Sequence, residues 1–189
     1  MRKIALALLL LPGRFAALWR TTLYRIAYPG LTLGPGVVLK SGVRISVTDG
    51  GTLEIGARTV IEPGTLIIVR RGAMRIGPDG FIGQQSVICC CDRIEIGRDA
   101  LIAEQVTIRD QDHRTADPGS PYRTQGMVTA PIELGDNVWL GAKVTIVRGV
   151  TIGDGAVIGA GAVVTRSLPA GSRAVGVPAR PVPEQPGED

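Results

Sequence analysis

The sequence predicts an all-β fold: a parallel β-helix of about six triangular coils, preceded by a short helix. Three observations carry that prediction. Large aliphatic residues recur every six positions from Leu33 onward; 26 glycines accompany only two Trp, three Tyr and two Phe; and every departure from the spacing falls at one point of the cycle. A period of six fits neither a 3.6-residue helix nor a long two-residue alternation. It suits a solenoid in which each side is one short strand and one turn.

The first thirty residues read as a segment of their own. No acidic residue precedes Asp49, whereas Arg2, Lys3, Arg14, Arg20, Arg25, Lys40 and Arg44 are basic. The run Ile4 to Leu11 is far shorter than the roughly 20 residues a bilayer-spanning helix needs, and no small-x-small cleavage pattern follows it. After Pro12-Gly13, the residues Phe15, Leu18, Trp19, Thr22 and Ile26 recur at helical spacing, with Arg14, Arg20 and Arg25 off that stripe. This predicts an amphipathic helix within residues 1–30, suited to an anionic membrane interface through residues 1–28, to capping the following domain, or to both. No zinc-finger, helix-turn-helix or RNA-stacking pattern accompanies the basic charge, so nucleic acid is not the expected partner.

The repeat itself occupies residues 31–168. Its columns are Leu33, Leu39, Ile45; Ile55, Ile61, Ile67; Ile76, Ile82, Ile88; Ile96, Ile102, Ile108; Leu134, Leu140, Ile146; and Ile152, Ile158, Val164. One aliphatic per hexapeptide points inward, a small residue such as Val138, Val144 or Ala156 helps fill the corner, and glycine is expected to serve the turn dihedrals. Extra residues occur only between Ile45 and Ile55, Ile67 and Ile76, Ile88 and Ile96, and Ile108 and Leu134. All insertions therefore leave from one corner. Six coils at about 4.8 Å each give a prism about 29 Å tall. Its flat faces invite self-association, and its open ends need covering by the helix and by the Pro-rich tail within residues 169–189.

The longest insertion, within loop 109–131, holds the only histidine, His113, in "IRDQDHRTADPGSPYRTQG". The adjacent Cys89, Cys90 and Cys91 cannot form a disulfide framework, since neighbouring Cβ vectors on a strand diverge. They read as small core or turn residues in a reducing compartment; a cysteine acyl-enzyme would need them reachable from solvent.

The stretch "IELGDNVWLGAKVTIVRGVTIGDGAVIGAGAVVTRSLPAGSRAVGVPAR", residues 132–180, resembles the C-terminal half of hexapeptide-repeat sugar O-acetyltransferases, including galactoside, maltose and exopolysaccharide acetyltransferases. The resemblance implies a left-handed β-helix, a homotrimer with active sites between neighbouring prisms, and acetyl-CoA as donor without a metal. "DQDHR" is similar to the "DHDH"-like stretch of the exopolysaccharide branch, which implies His113 as general base. A sugar hydroxyl is too weakly acidic to attack a thioester unless a group titrating near neutrality takes its proton. Asp110 is the expected orienting partner of that ring, with Asp112 the other carboxylate nearby. For the donor, the resemblance implies contacts from Ala142 and Ala160 to the pantetheine arm, and from Thr165, Arg166 and Arg180 to CoA. Gln85, where such enzymes often have an asparagine, and the outward Trp139 are expected at the acceptor, Trp139 alternatively at the trimer interface.

The expected activity is therefore acetyl-CoA-dependent O-acetylation of a sugar hydroxyl in exopolysaccharide or other surface-glycan synthesis. The expected setting is cytoplasmic, with peripheral contact at the inner membrane face and a lipid-linked or polymeric glycan acceptor. A γ-class carbonic anhydrase shares the fold, but one histidine cannot supply its three zinc ligands. Two alternatives stand: a serine acetyltransferase-like enzyme, though the large helical N-terminal domain of that family is missing, and a non-catalytic β-helix scaffold.

Overall fold

The computed structural model describes residues 14–183, without the side chains of residues 14–18. The run Ile4 to Leu11, the Phe15 and Leu18 side chains and the last six residues of the tail lie outside the described residues.

Helix α1, Arg14–Ala27, leads into three parallel sheets that form the sides of a prism. The first face stacks Leu31–Leu33, Thr52–Ile55, Ala73–Ile76, Arg93–Ile96, Ile132–Leu134 and Thr151–Ile152. The second begins with Val38–Leu39 and Val60–Ile61 and runs through Phe81–Ile82, Leu101–Ile102, Trp139–Leu140 and Val157–Ile158 to Arg173–Val175. The third stacks Arg44–Thr48, Leu66–Arg70, Val87–Cys90, Thr107–Arg109, Thr145–Ile146 and Val163–Val164. The predicted columns are the inward columns. Ile55 pairs with Ile76 and Ile76 with Ile96 on the first face, while Ile61, Ile82, Ile102, Leu140 and Ile158 follow in register on the second. All are buried. Burying each such aliphatic is worth about 1.5–3 kcal/mol relative to exposure.

Two features depart from the sequence expectation. The glycine after an inward aliphatic is needed for close stacking of coils: a Cβ on Gly135 would sit 2.1 Å from Asp154 Oδ1 and 2.7 Å from the Asp154 amide nitrogen. The turn dihedrals are supplied one or two residues later, often without glycine, as at Gln85 (φ 57°) and Lys143 (φ 61°). The ladder also continues past residue 168. Leu168 bridges Ile152, Ala174 pairs with Ile158, and Arg180–Pro181 folds back antiparallel on Arg173–Val175, so a partial seventh coil closes the C-terminal end.

At the other end, α1 caps the first coil with the face that carries Arg20 and Tyr24, away from Trp19 and Ile26. Arg20 is 1% exposed and its Nε donates to the Leu39 carbonyl at 2.9 Å. Arg25 Nη2 donates to the Leu33 carbonyl at 2.5 Å. The Tyr24 hydroxyl donates to the Val43 carbonyl at 2.8 Å and accepts from the Ile45 amide at 3.3 Å. Trp19 and Ile26 are left 66% and 77% exposed. A coil end presents backbone polar groups that cost free energy if buried without a partner, so polar side chains pack there.

Candidate active site

The corner between the third and first faces carries the loop of His113. After Arg109 the chain leaves the prism as a hairpin of Gln111–His113 paired antiparallel with Met127–Thr129, with His113 opposite Met127. Its root is tied down on both strands. The Ala130 amide donates to the Asp110 carbonyl at 3.0 Å, and the Gly149 amide to the Ala130 carbonyl at 3.1 Å. Arg148, on the next coil, pairs Nε to Asp112 Oδ2 at 2.9 Å. The loop tip is braced internally: Ser120 Oγ and the Gly119 amide donate to the Asp117 carboxylate, and Gln125 Nε2 donates to the Asp117 and Ser120 carbonyls. The Ser120 hydroxyl first, and then the Gly119 amide, hold the Asp117 carboxyl below its usual range.

His113 is exposed, and among the described residues no side chain hydrogen-bonds its ring. Asp110 does not serve it. That carboxylate is fully buried and turned into the corner, where it accepts from the Cys91 amide at 2.8 and 3.0 Å and the Asp92 amide at 2.7 Å. Two backbone amides satisfy it. The physical reason is local: the tight corner of coil three leaves amides facing inward, and a short carboxylate at the hairpin root fills that need better than it could bend onto its own neighbour's ring. Asp112 is likewise engaged, by Arg148.

Burial raises the thiols of Cys89, Cys90 and Cys91, most of all Cys90, which Asp110 pushes further in the same direction. All three are free thiols. A thiol held neutral by burial is a poor nucleophile, which removes the basis for a cysteine acyl-enzyme. Among the described residues no group of three His, Cys, Asp or Glu side chains is placed to hold a metal ion.

The remaining candidates are spread over other parts of the prism. Ala142 and Ala160 stack on the corner between the second and third faces, where the Gly161 amide donates to the Ala142 carbonyl at 2.8 Å. Gln85 lies on that same corner, hydrogen-bonded to Gln105 one coil above at 3.0 Å. Thr165 and Arg166 follow the last strand of the third face, on the His113 corner, and Arg180 lies on the returning strand beyond the second face. The described chain therefore distributes the candidate donor residues and the candidate base over two corners. Trp139 is 49% exposed in a continuous outward ladder on the second face, in register with Phe81, Leu101 and Val157. Sequence reasoning missed Arg148 and the exposed Lys143 beside Ala142. The parity of Asp112 against an Arg one coil away was the available signal for the first.

A profile of the bacterial transferase hexapeptide (six repeats) matches residues 131–166. Those residues carry the bacterial transferase hexapeptide repeat. It is 37% identical over 172 residues to the probable acetyltransferase Rv3034c of Mycobacterium tuberculosis, covering 90% of this chain and 57% of that protein. It is 36% identical over 117 residues to WbbJ of Escherichia coli, named as a candidate O-acetyl transferase of lipopolysaccharide biosynthesis, covering 58% of this chain and 60% of WbbJ. The chain thus spans little more than half the length of either relative. Among solved hexapeptide-repeat transferases, a galactoside acetyltransferase in complex with coenzyme A superposes with a TM-score of 0.63 at 27% identity, covering 96% of this chain and 78% of that one.

Proposed function

We propose that this protein is an acetyl-CoA-dependent O-acetyltransferase acting on a sugar hydroxyl, in exopolysaccharide or other surface-glycan synthesis. The observation that carries the reading is the placement of the chain's single imidazole. His113 projects on a braced hairpin from a rigid hexapeptide prism, exposed and unclaimed by other described side chains. The names of the relatives support acetyl transfer, and that of WbbJ supports a surface glycan.

In this mechanism His113 accepts the proton of the sugar hydroxyl as its oxygen attacks the thioester carbonyl. The tetrahedral centre collapses with loss of CoA thiolate, and the imidazolium returns the proton to that sulfur, leaving the acetyl ester and CoA. Ala142 and Ala160 present a narrow corner along which a pantetheine arm can lie; Thr165, Arg166 and Arg180 serve the CoA phosphates. Gln85 and Trp139 serve the acceptor. Asp110 contributes by fixing the hairpin root.

Because His113 and the Ala142–Ala160 corner lie on different edges, with Thr165 and Arg166 on the edge of His113, two copies meeting as in a homotrimer would complete the site. The outward Phe81, Leu101, Trp139 and Val157 ladder supports such packing. No helix among the described residues is long and apolar enough to cross a membrane. Exposed Trp19 and Ile26 support peripheral contact with an anionic leaflet at the inner face of the membrane through their apolar surface, Arg20 and Arg25 being turned to the cap. His113→Ala is expected to abolish acetyl transfer while acetyl-CoA binding persists. Undiminished turnover in that variant contradicts the assignment.

A further inference from the structure

Three arginines gather at the root of the His113 hairpin and none has a carboxylate partner among the described residues. Arg109 ends the last third-face strand before the hairpin and stacks outward over Cys89, which in turn stacks over Ile68. Arg70 projects outward two residues beyond Ile68, in register with Thr48, and Arg71 follows it on the turn. Two coil spacings and two residues along the strand separate the backbones of Arg70 and Arg109 by about 12 Å. Two extended arginine side chains can converge across that gap. Their fields meet at the cysteine run: burial, and after it the Asp110 carboxylate, raise the Cys91 thiol, and Arg70, Arg71 and Arg109 all oppose that shift.

Four other surface arginines are neutralised by carboxylates. Arg58 pairs with Asp79, Arg93 with Glu95 and Glu133, Arg98 with Asp136, and Arg148 with Asp112. Neither Asp110 nor Asp92, the carboxylates at the Cys91 turn, forms an ion pair with the cluster. Asp110 is buried with its oxygens on backbone amides, and Asp92 is exposed on the turn. Three guanidiniums around one buried carboxylate, beside a candidate base that would act on a neutral hydroxyl, call for an anionic group elsewhere on the same substrate.

We infer that Arg70, Arg71 and Arg109 form a binding site for a diphosphate group on the acceptor, so that the sugar reaches His113 while its diphosphate stays bound to it at the hairpin root. The inference rests on the acetyltransferase reading for what the site serves, but the site itself is testable without turnover. A sugar can carry a diphosphate from a nucleotide or from a polyprenyl lipid, and the chemistry at the arginines is the same for both.

The probe is inorganic pyrophosphate, titrated by calorimetry into the full chain under saturating CoA, so that the diphosphate-binding elements of the donor site are already filled. The protein is expected to bind it, and the triple variant Arg70→Ala, Arg71→Ala, Arg109→Ala to bind at least about tenfold more weakly, with acetyl-CoA affinity unchanged. Arg98→Ala, which removes a paired arginine, is expected to leave pyrophosphate binding unaltered. Complete displacement of pyrophosphate by CoA, or equal binding by the triple variant, overturns the site. Repeating the titration with uridine diphosphate and with geranyl diphosphate in detergent micelles separates the sources: the ligand losing more affinity in the triple variant identifies the carrier, and loss for neither overturns the inference. Loss of turnover in His113→Ala with pyrophosphate binding intact separates failure of this site from failure of the catalytic reading.

Discussion

At its N-terminal end the prism is closed by three side chains of one helix, and at its C-terminal end by the main chain of a further partial coil. Arg25, Arg20 and Tyr24 reach the Leu33, Leu39 and Val43 carbonyls, one from each side of the first coil. At the far end the Gly153, Val157, Gly159 and Val163 amides donate to the Leu168, Ser172, Ala174 and Gly176 carbonyls. The backbone cap extends the ladder and buries Leu168, Ala174 and Ala179. The side-chain cap ends the ladder with hydrogen bonds and leaves Trp19 and Ile26 outward. One end is therefore held as the rest of the fold is held, and the other can present a different surface without changing the prism.

Breaking the two caps should have unequal effects. Truncation after Ser167 strips the partners of the last coil and exposes Ile152, Ile158 and Val164. Loss of cooperative thermal unfolding and of solubility is expected. A variant melting like the full chain would show that the seventh coil does not carry the end. Arg20→Met keeps the aliphatic stem but leaves the Leu39 carbonyl unmet, a loss of about 1.5–3 kcal/mol for a charged donor, to be read from urea unfolding. Tyr24→Phe removes a donor and an acceptor from the same corner and should cost about 1–2 kcal/mol.

That substitution also tests a pH effect. Burial raises the Tyr24 phenol, as it raises the cysteine thiols. The native state therefore holds these protons to higher pH than the unfolded chain, so stability is full below the ordinary thiol and phenol ranges, about pH 8.5 and 10, and falls as pH rises through them. In Tyr24→Phe the decline above about pH 10 should be shallower. Trp19→Ser should change stability by no more than about 0.5 kcal/mol yet weaken co-sedimentation with anionic vesicles. A large stability loss there would mean that the outward stripe packs on the prism after all.

The same contrast explains what was legible in the sequence. Ile55, Ile76 and Ile96 announce themselves because one residue type recurs wherever the interior is narrow and apolar, and insertions at a single corner reveal the triangle. The face of α1 that packs is not legible from periodicity. An apolar stripe reads as the buried side by default, whereas a coil end asks for donors, which Arg20 and Tyr24 supply. Asp110 was misassigned for a related reason: sequence proximity to His113 suggested the ring, while the amides of Cys91 and Asp92 come near only through coil stacking. Arg109 and Arg70 are 39 residues apart in number and neighbours only through the ladder, so no local motif marks the arginine cluster.

The central claim is that His113 of one copy works against the donor corner of another. His113→Ala and Ala160→Trp, a block placed on the exposed donor corner, should each abolish acetyl transfer on their own. Co-expressed and mixed at random, the two chains should rebuild intact sites and recover about a quarter of wild-type activity if each site of a closed homo-oligomer draws on two neighbours. No recovery in assemblies shown to contain both chains would contradict a site shared between copies.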